Sequence, residues 1–595
     1  MRGTPYHFDP NEHEQQLVPI IRAIQELDTV DVRTLNRLMR KHPKAGKGAF
    51  SKSEIIRGYR HFAERYGWTD ADSFLERVRM KPIRTLSGVA PVTVLTKPYP
   101  CPGKCIFCPN DVRMPKSYLS REPGAQRAAQ HRFDPYAQTL SRLVTFHHTG
   151  HQVDKVELII LGGTWSFYPE EYQIWFVKRC FDAMNAFERY AGLANLPVGA
   201  LPKNDIDYEA LDDEVDGRSM DQTYNQVIRN FLQGELEGQL LDDDESATWD
   251  ELEAVQRHNE TAMARCVGLV VETRPDHLSE DEVVRVRRLG ATKVQIGFQS
   301  LDDDVLRLNK RGHDVAATRR AVALLRQAGF KLHAHWMPNL HGSSPDKDVV
   351  DFGRLFDDPD FRPDELKIYP CSLIESAELM QFYERGEWRP YTHDELLGVI
   401  TECLGRVPPY CRVTRVIRDI PGDDILVGNK VTNFRQVAEN AMRDRGTSSQ
   451  DIRAREIRKR QVSADDLRLV AVEYASAIGR EIFLQMVTAD DSIVGFCRLG
   501  LPGGDALRDG VFIDEIRHSA MIREVHVYGA VVGIGDQQAG KGQHLGLGRR
   551  LIDEAAHRAA EAGYADLAVI SSIGTREYYR GLGFVDGALY QHRAL

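Results

Sequence analysis

The stretch TKPYPCPGKCIFCPND (96–111) decides how the rest of the chain is read. It sets Cys101, Cys105 and Cys108 in a C-x3-C-x2-C run directly after the apolar segment VTVLT (92–96). All three thiolates therefore fall in one compact loop at the C-terminal end of a strand. Three thiolates can hold three irons of a [4Fe–4S] cube and leave the fourth iron open, because no fourth cysteine lies close by. A structural zinc site normally asks for four closed ligands in two paired motifs, and is the weaker reading. Cys180, Cys266, Cys371, Cys403, Cys411 and Cys497 are scattered and read as core or incidental thiols. Nine cysteines in 595 residues make no disulfide scaffold, and an odd number fits a reducing cytoplasm.

Outward from the loop the same pattern repeats in VELIILGG (156–163), VGLVVET (267–273), KVQIGFQ (293–299), KLHAHWM (331–337) and ELKIYP (365–370). Helical stretches such as EDEVVRVRRLG and AATRRAVALLRQAG lie between them. Near-continuous apolar strands alternating with amphipathic helices predict a parallel sheet covered by helices. Six such units match an α/β fold of incomplete TIM-like barrel form, with its chemistry at the C-terminal strand ends. Candidate residues stand there. Gly162 and Gly163 in LGGT leave a backbone free of side chains, although glycine at a strand end is also ordinary turn chemistry. Glu272 and Arg274 in ETRP offer a carboxylate and a guanidinium, Gln299 ends the fourth strand, and His333, His335, Met337 and Lys367 follow. The two histidines read first as satisfied core groups.

The net charge of −10 is an average that conceals segregation. Residues 204–254 hold 17 Asp/Glu and two Arg, so the other 544 residues are net positive by five. This acidic stretch interrupts the barrel rhythm after the second strand and reads as a surface insertion that touches no chemistry. Residues 33–65 carry ten Lys/Arg against Glu54 and Glu64, among them Arg40, Lys41, Lys44, Lys47 and Lys52. They lie on helical segments around the loop HPKAGKGAF, a pattern that suits phosphate binding as well as a plain solvated face. A mean hydropathy of −0.40 and the absence of a long apolar run exclude a spanning helix. The first residues, MRGTPYHFDPNEHEQQLVPI, show no apolar secretory core, so a cytoplasmic location is expected.

After an Arg-rich connector (408–460) comes a second α/β pattern. Its expected elements are a helix ADDLRLVAVEYASA, strands EIFLQMV, SIVGFCRLG and MIREVHVYGAVV, a helix GLGRRLIDEAAHRAAEAG, a strand LAVISS and a helix REYYRGLG. The loop QHLGLG (543–548) precedes the long helix, where backbone N–H groups and the helix dipole favour a pyrophosphate. A plain Gly-rich turn is the competing reading.

The cysteine loop resembles that of the radical-SAM superfamily, and the second pattern resembles the GNAT acetyltransferase fold. Joined in one chain, they resemble the catalytic subunit of the Elongator complex in its stand-alone prokaryotic form. The signatures include KPYPCPGKCIFCP, DKVELIILGGT, CVGLVVETRPD, NKRGHD, DELKIYP, REVHVYGAVV, GQHLGLG and REYYRGLGF. The resemblance implies a [4Fe–4S] cluster at Cys101, Cys105 and Cys108, and S-adenosylmethionine (SAM) beside Gly162, Gly163, Glu272, Arg274 and Gln299. It implies acetyl-CoA held by Glu524, Val525, His526, Val527, Gln543, Gly546, Leu547, Gly548 and Tyr578, with Lys155 reaching over from the barrel. Tyr578 or Tyr579 would protonate the departing CoA thiolate. The substrate implied is the anticodon arm of a tRNA, gripped by Arg40, Lys41, Lys44, Lys47 and Lys52, and the product 5-carboxymethyluridine at position 34. An external electron donor is implied too, for a monomer or homodimer. The alternative is a protein lysine acetyltransferase whose cluster is structural. The expected division is a basic helical tRNA-binding module (1–86), a radical-SAM barrel (87–407), the connector (408–460) and a GNAT domain (461–595).

Overall fold

The computed structural model describes residues 8–44, 48–85, 87–202, 206–208, 211, 223–458, 460, 462–503, 510–528, 531–532 and 545–595. The six strands expected around the cysteine loop all form: β1 (Ala90–Leu95), β2 (Lys155–Leu161), β3 (Arg265–Thr273), β4 (Lys293–Gln299), β5 (Lys331–Trp336) and β6 (Glu365–Ile368). A seventh, β7 (Arg412–Arg415), extends them, and all seven run parallel in sequence order. The span 408–460 is therefore not simply a connector. Its strand was illegible because four residues, only Val413 apolar, carry no hydrophobic run; pairing with β6 makes them a strand. The sheet stays open between β1 and β7, so the barrel is incomplete, and one rim collects every C-terminal strand end.

Ahead of the barrel, α1 (Glu14–Gln25), α2 (Val32–Lys41), α3 (Lys52–Tyr66) and α4 (Ala71–Val78) share a separate apolar core including Leu17, Ile21, Phe62 and Phe74. Ser51 and Glu54 form a capping box that starts α3, and Gly67, in a left-handed conformation, ends it. The module is tied to the barrel by polar contacts. Arg79 Nε donates to Gly150 O at 2.9 Å, and the Asn195 amide bonds both backbone groups of Phe8 at 2.8 and 3.0 Å.

The C-terminal strands are β8 (Val462–Ser463), β9 (Arg468–Ser476), β10 (Gly479–Val487), β11 (Ile493–Pro502), β12 (Ala520–Val527), β13 (Val531–Val532), β14 (Asp566–Val569), β15 (Val585–Asp586) and β16 (Gln591–Ala594). Seven of them form a mixed sheet in the order β15-β16-β14-β12-β11-β10-β9, and β8 pairs β13 apart from it. The segment ADDLRLVAVEYASA is not a helix. After a short turn it becomes β9, because Val470, Val472 and Tyr474 recur with period two and the strand pairs with β10 through the two-residue hairpin loop Ala477–Ile478. The decisive detail lies in β12. Only Ala520–Ile522 pair with β14, and from Arg523 onward β12 pairs β11 alone. The two parallel strands thus part, leaving a cleft that faces the barrel. Among the described residues no helix is long and apolar enough to cross a membrane.

The barrel and the mixed sheet share one continuous apolar core. Asp364, fully buried before β6, receives Arg523 at 2.7 and 2.8 Å, with Arg326 and Arg498 each at 3.4 Å. Arg287 donates to Ser571 O at 2.9 Å, and Ser572 Oγ to Cys266 O at 2.8 Å. These contacts press the mixed sheet against the N-terminal ends of the barrel strands.

Candidate active site

The cysteine loop leaves β1 on the C-terminal rim. Cys105 is buried, Cys101 and Cys108 half-buried. Each sulfur has its own polar neighbours. Gly103 N donates to Cys101 Sγ at 3.4 Å, Arg311 Nη1 to Cys105 Sγ at 3.3 Å, and Ser117 Oγ lies 3.3 Å from Cys108 Sγ. Arg274 Nη1 approaches Cys105 at 3.9 Å, and its other nitrogens fork onto Asp276 at 2.9 and 2.8 Å. A hydrogen bond from Cys108, with Arg311 and Arg274 overcoming the penalty of burial, holds the Cys105 thiol well below its ordinary range. The thiolate is the form that binds iron.

These residues fit a cluster with three protein ligands. The surroundings also fit a ligand above the cluster. Gln299 ends β4 at a φ of +66°, and its buried Oε1 has no partner; such strain recurs at functional sites. Gly162 has a φ of +149°, and a Cβ there would collide with Thr96 Oγ1. Gly163 has room, its nearest atom Tyr168 Oη being 3.6 Å away. Gly162→Ala is accordingly expected to destabilise the protein by about 1–3 kcal/mol. Gly163→Ala should stay within about 0.5 kcal/mol, both measured by denaturant titration.

Below the rim the barrel interior is polar. Lys293 Nζ bridges Glu157 at 2.6 Å and Glu365 at 3.1 Å, and Lys331 Nζ bridges Glu365 at 2.8 Å and Glu524 of β12. His333 Nε2 meets Thr414 Oγ1 at 2.9 Å and His335 Nε2 meets Gln295 Oε1 at 3.1 Å. Burial lowers both histidines, so they are neutral hydrogen-bonding groups. Lys367 donates to Gln295 at 2.5 Å, and burial, reinforced by Arg415, Lys293 and Arg418, brings it down to about 8. Burial raises Glu272 against the pull of Lys367, Arg418 and Arg311.

At the cleft between β12 and β14, Glu524, Val525 and His526 face the barrel. The Glu524 side chain is engaged by Lys331 and by Arg498 Nε at 2.8 Å, so what it can offer a ligand is its backbone. His526 Nε2 and Ser571 Oγ are buried without a partner. Gly546, Leu547 and Gly548 form the first turn of the helix Leu545–Glu561, where the leading N–H groups have no partner within the helix itself and the helix dipole favours an anion. A Cβ on Gly548 would lie 2.5 Å from Tyr578 Oη, so glycine there lets Tyr578 pack beneath the turn. Tyr579 is buried and faces the cleft. Lys155 opens β2 beside Arg265, at the rim where Gly574 packs. Gln543 and Lys47 lie outside the described residues.

One cavity of about 890 Å³ runs from Cys101, Cys105 and Cys108 through the barrel interior to His526 and Tyr579. The remaining basic candidates are apart from it on the N-terminal module. Arg40 and Lys41 are exposed, Lys52 is half-buried, and Lys44 is paired with Glu54 at 2.6 Å. Two features were missed in the sequence. Arg311, inside the quoted NKRGHD, had no assigned role. The acidic stretch is not remote from the chemistry: Glu245 pairs with Lys97 beside the cysteine loop, and Asn225 bonds Cys101.

A parallel open barrel carrying a three-cysteine loop on its C-terminal rim defines a radical-SAM protein. Residues 240–353 match the radical-SAM superfamily model and 363–444 the radical-SAM C-terminal domain. The chain is 37% identical, over 86% of its length and 98% of the relative's, to a tRNA uridine(34) acetyltransferase of Dehalococcoides mccartyi. It is 32% identical to Elongator complex protein 3 of Bos taurus, covering 85% of this chain and 84% of that protein. The solved structure of an archaeal Methanocaldococcus infernus Elp3 with an N-terminal deletion superimposes with a TM-score of 0.64. It is 32% identical and covers 86% of this chain and 100% of its own. The chain belongs to the tRNA uridine(34) acetyltransferase and Elongator complex protein 3 family.

Proposed function

We propose that the protein builds the carboxymethyl group of 5-carboxymethyluridine at position 34 of tRNA, using acetyl-CoA and SAM. The observation that carries this reading is the single cavity joining the three cysteines to the β12/β14 cleft, since it lets one substrate meet both chemistries. In this reading Cys101, Cys105 and Cys108 hold the cluster, and Gly162 and Gln299 border SAM. When bound, the cluster supplies the electron that cleaves SAM to a 5′-deoxyadenosyl radical. In the balanced reaction one hydrogen atom of the acetyl methyl would pass to the 5′-deoxyadenosyl group, and the resulting carbon would bond uridine C5. The C5 hydrogen would leave as a proton, with one electron returned to the external redox partner, and water would cleave the thioester to the carboxylate and free CoA.

The residues at the far end suit the acyl half. Helix amides at 546–548 would receive the CoA pyrophosphate, and the β12 backbone beyond Ile522, which does not pair β14, would be open to the pantetheine. Burial raises the Tyr579 phenol above its ordinary value, which keeps it protonated as a donor to the leaving thiolate. Tyr578, packed under Gly548, serves binding instead. Tyr579→Phe is expected to lower kcat for tRNA-stimulated acetyl-CoA hydrolysis by about 10²-fold or more. Tyr578→Phe should chiefly raise KM, which steady-state kinetics separates.

The N-terminal module is read as the tRNA grip through the phosphates, using Arg40, Lys41 and Lys52. The deciding experiment is anaerobic reconstitution with tRNA, SAM and acetyl-CoA, followed by mass spectrometry of the nucleosides. Carboxymethyluridine that depends on SAM supports the reading. Acetylation of protein amines without tRNA or SAM, and no modified uridine, would replace it with lysine acetyltransfer.

A further inference from the structure

The helix Tyr224–Glu235 belongs to the acidic stretch, yet its first turn reaches the cysteine loop. Asn225 Nδ2 donates to Cys101 O at 2.8 Å and Asn225 Oδ1 accepts from Cys101 N at 2.9 Å, so one amide satisfies both backbone groups of a cysteine. The neighbouring Tyr224 Oη donates to Met114 O at 2.8 Å, and its ring lies under the Lys116 ammonium at 4.8 Å. Two consecutive residues thus hold both ends of the loop that contains all three cysteines.

The turn is rigid for local reasons. Thr223 and Gln226 close a capping box, and Tyr224, Ile228 and Leu232 bury one stripe of the helix. A second tie enters from the same stretch: Glu245 pairs with Lys97, four residues before Cys101, and both are buried. A solvated acidic insertion needs none of these contacts.

We propose that Asn225 and Tyr224 are positioning residues for the cluster, holding the loop 101–114 so that its three thiols stay in register. This rests on the reading that the loop binds a [4Fe–4S] cluster. The bidentate amide fixes the peptide planes on either side of the Cys101 α-carbon, and with them the direction of its Sγ. Cys105 has two arginines beside its sulfur; Cys101 depends more on its backbone.

The test uses the full chain, reconstituted anaerobically as wild type, Asn225→Ala, Asn225→Asp and Tyr224→Phe. Iron release to a chelator is followed with the EPR spectrum of the reduced protein and the melting temperature. Asn225→Ala loses two hydrogen bonds and should release iron roughly tenfold faster with an altered EPR signal, at a melting temperature near that of wild type. Asn225→Asp keeps the acceptor but not the donor and should fall between. Hydrogen exchange of apo protein adds a readout without cluster: the Cys101 amide should lose protection in Asn225→Ala. Wild-type iron release, EPR signal and exchange in all three variants overturn the proposal. If Asn225→Ala does not fold, Asn225→Asp and Tyr224→Phe decide by the same readouts. A wild-type protein that takes up no cluster defeats the reading of the loop itself, and this inference with it.

Discussion

Cys105→Ala is expected to strip the cluster and with it the tRNA chemistry, leaving acetyl-CoA binding intact. Cys105 is the most buried of the three thiols and the one that two arginines address. Alanine removes the thiol proposed to hold one iron and also leaves the Arg274 and Arg311 guanidiniums converging on an apolar methyl. Outer partners of metal ligands commonly carry 10–100-fold in affinity or activity, and the loss of a ligand should exceed about 100-fold. The checks are iron and sulfide content per chain and mass spectrometry of tRNA digests from cells carrying the variant. Undiminished carboxymethyluridine-derived nucleosides would sink the proposed role of the loop. The β12/β14 cleft lies at the opposite end of the barrel, so acetyl-CoA should still bind with wild-type affinity by calorimetry.

Asp364→Asn is expected to have the largest effect on stability. This carboxylate meets Arg326, Arg498 and Arg523, and also accepts from Leu332 N at 2.8 Å. Removing its charge leaves three buried guanidiniums sharing Glu481 and Glu524. Breaking a buried ionic cluster by deleting one member typically costs about 3–5 kcal/mol. Because Asp364 lies on the barrel and two of its partners on the mixed sheet, the loss should loosen the seam and show as a lower melting temperature with reduced acetyl-CoA turnover. The pH dependence has a definite sign. Burial pushes the Asp364 carboxyl up, but the three guanidiniums overcome it and hold it far below the usual carboxylate range. A depressed folded value gives stability that is complete above the unfolded carboxylate pKa of about 4 and is lost as pH falls below it. The gap between wild type and Asp364→Asn should therefore be widest near neutrality and narrow below about pH 4. A constant gap down to pH 3 would contradict this account.

The amino-acid order by itself determined whatever depends on neighbours along the chain. The C-x3-C-x2-C spacing, the six apolar strands with their intervening helices, and the glycines in the first turn of the helix Leu545–Glu561 are all local patterns. Local reading also misled: β7 is too short to carry a pattern and takes its form from β6, and the period-two alternation of β9 was read as a helix. The acidic stretch looked inert because its charge was legible and its fold was not. Tertiary structure alone decided which distant residues serve the site. Asn225 holds Cys101 across 124 residues, Arg311 reaches Cys105 across 206, and Arg523 meets Asp364 across 159. The same packing put Tyr579 in the cavity and Tyr578 beneath a glycine, although the two are adjacent. The physical reason is common to all of them. Spacing and periodicity act over one or two turns of chain, whereas hydrogen bonds and ion pairs between remote residues exist only after the sheets have packed and water has left.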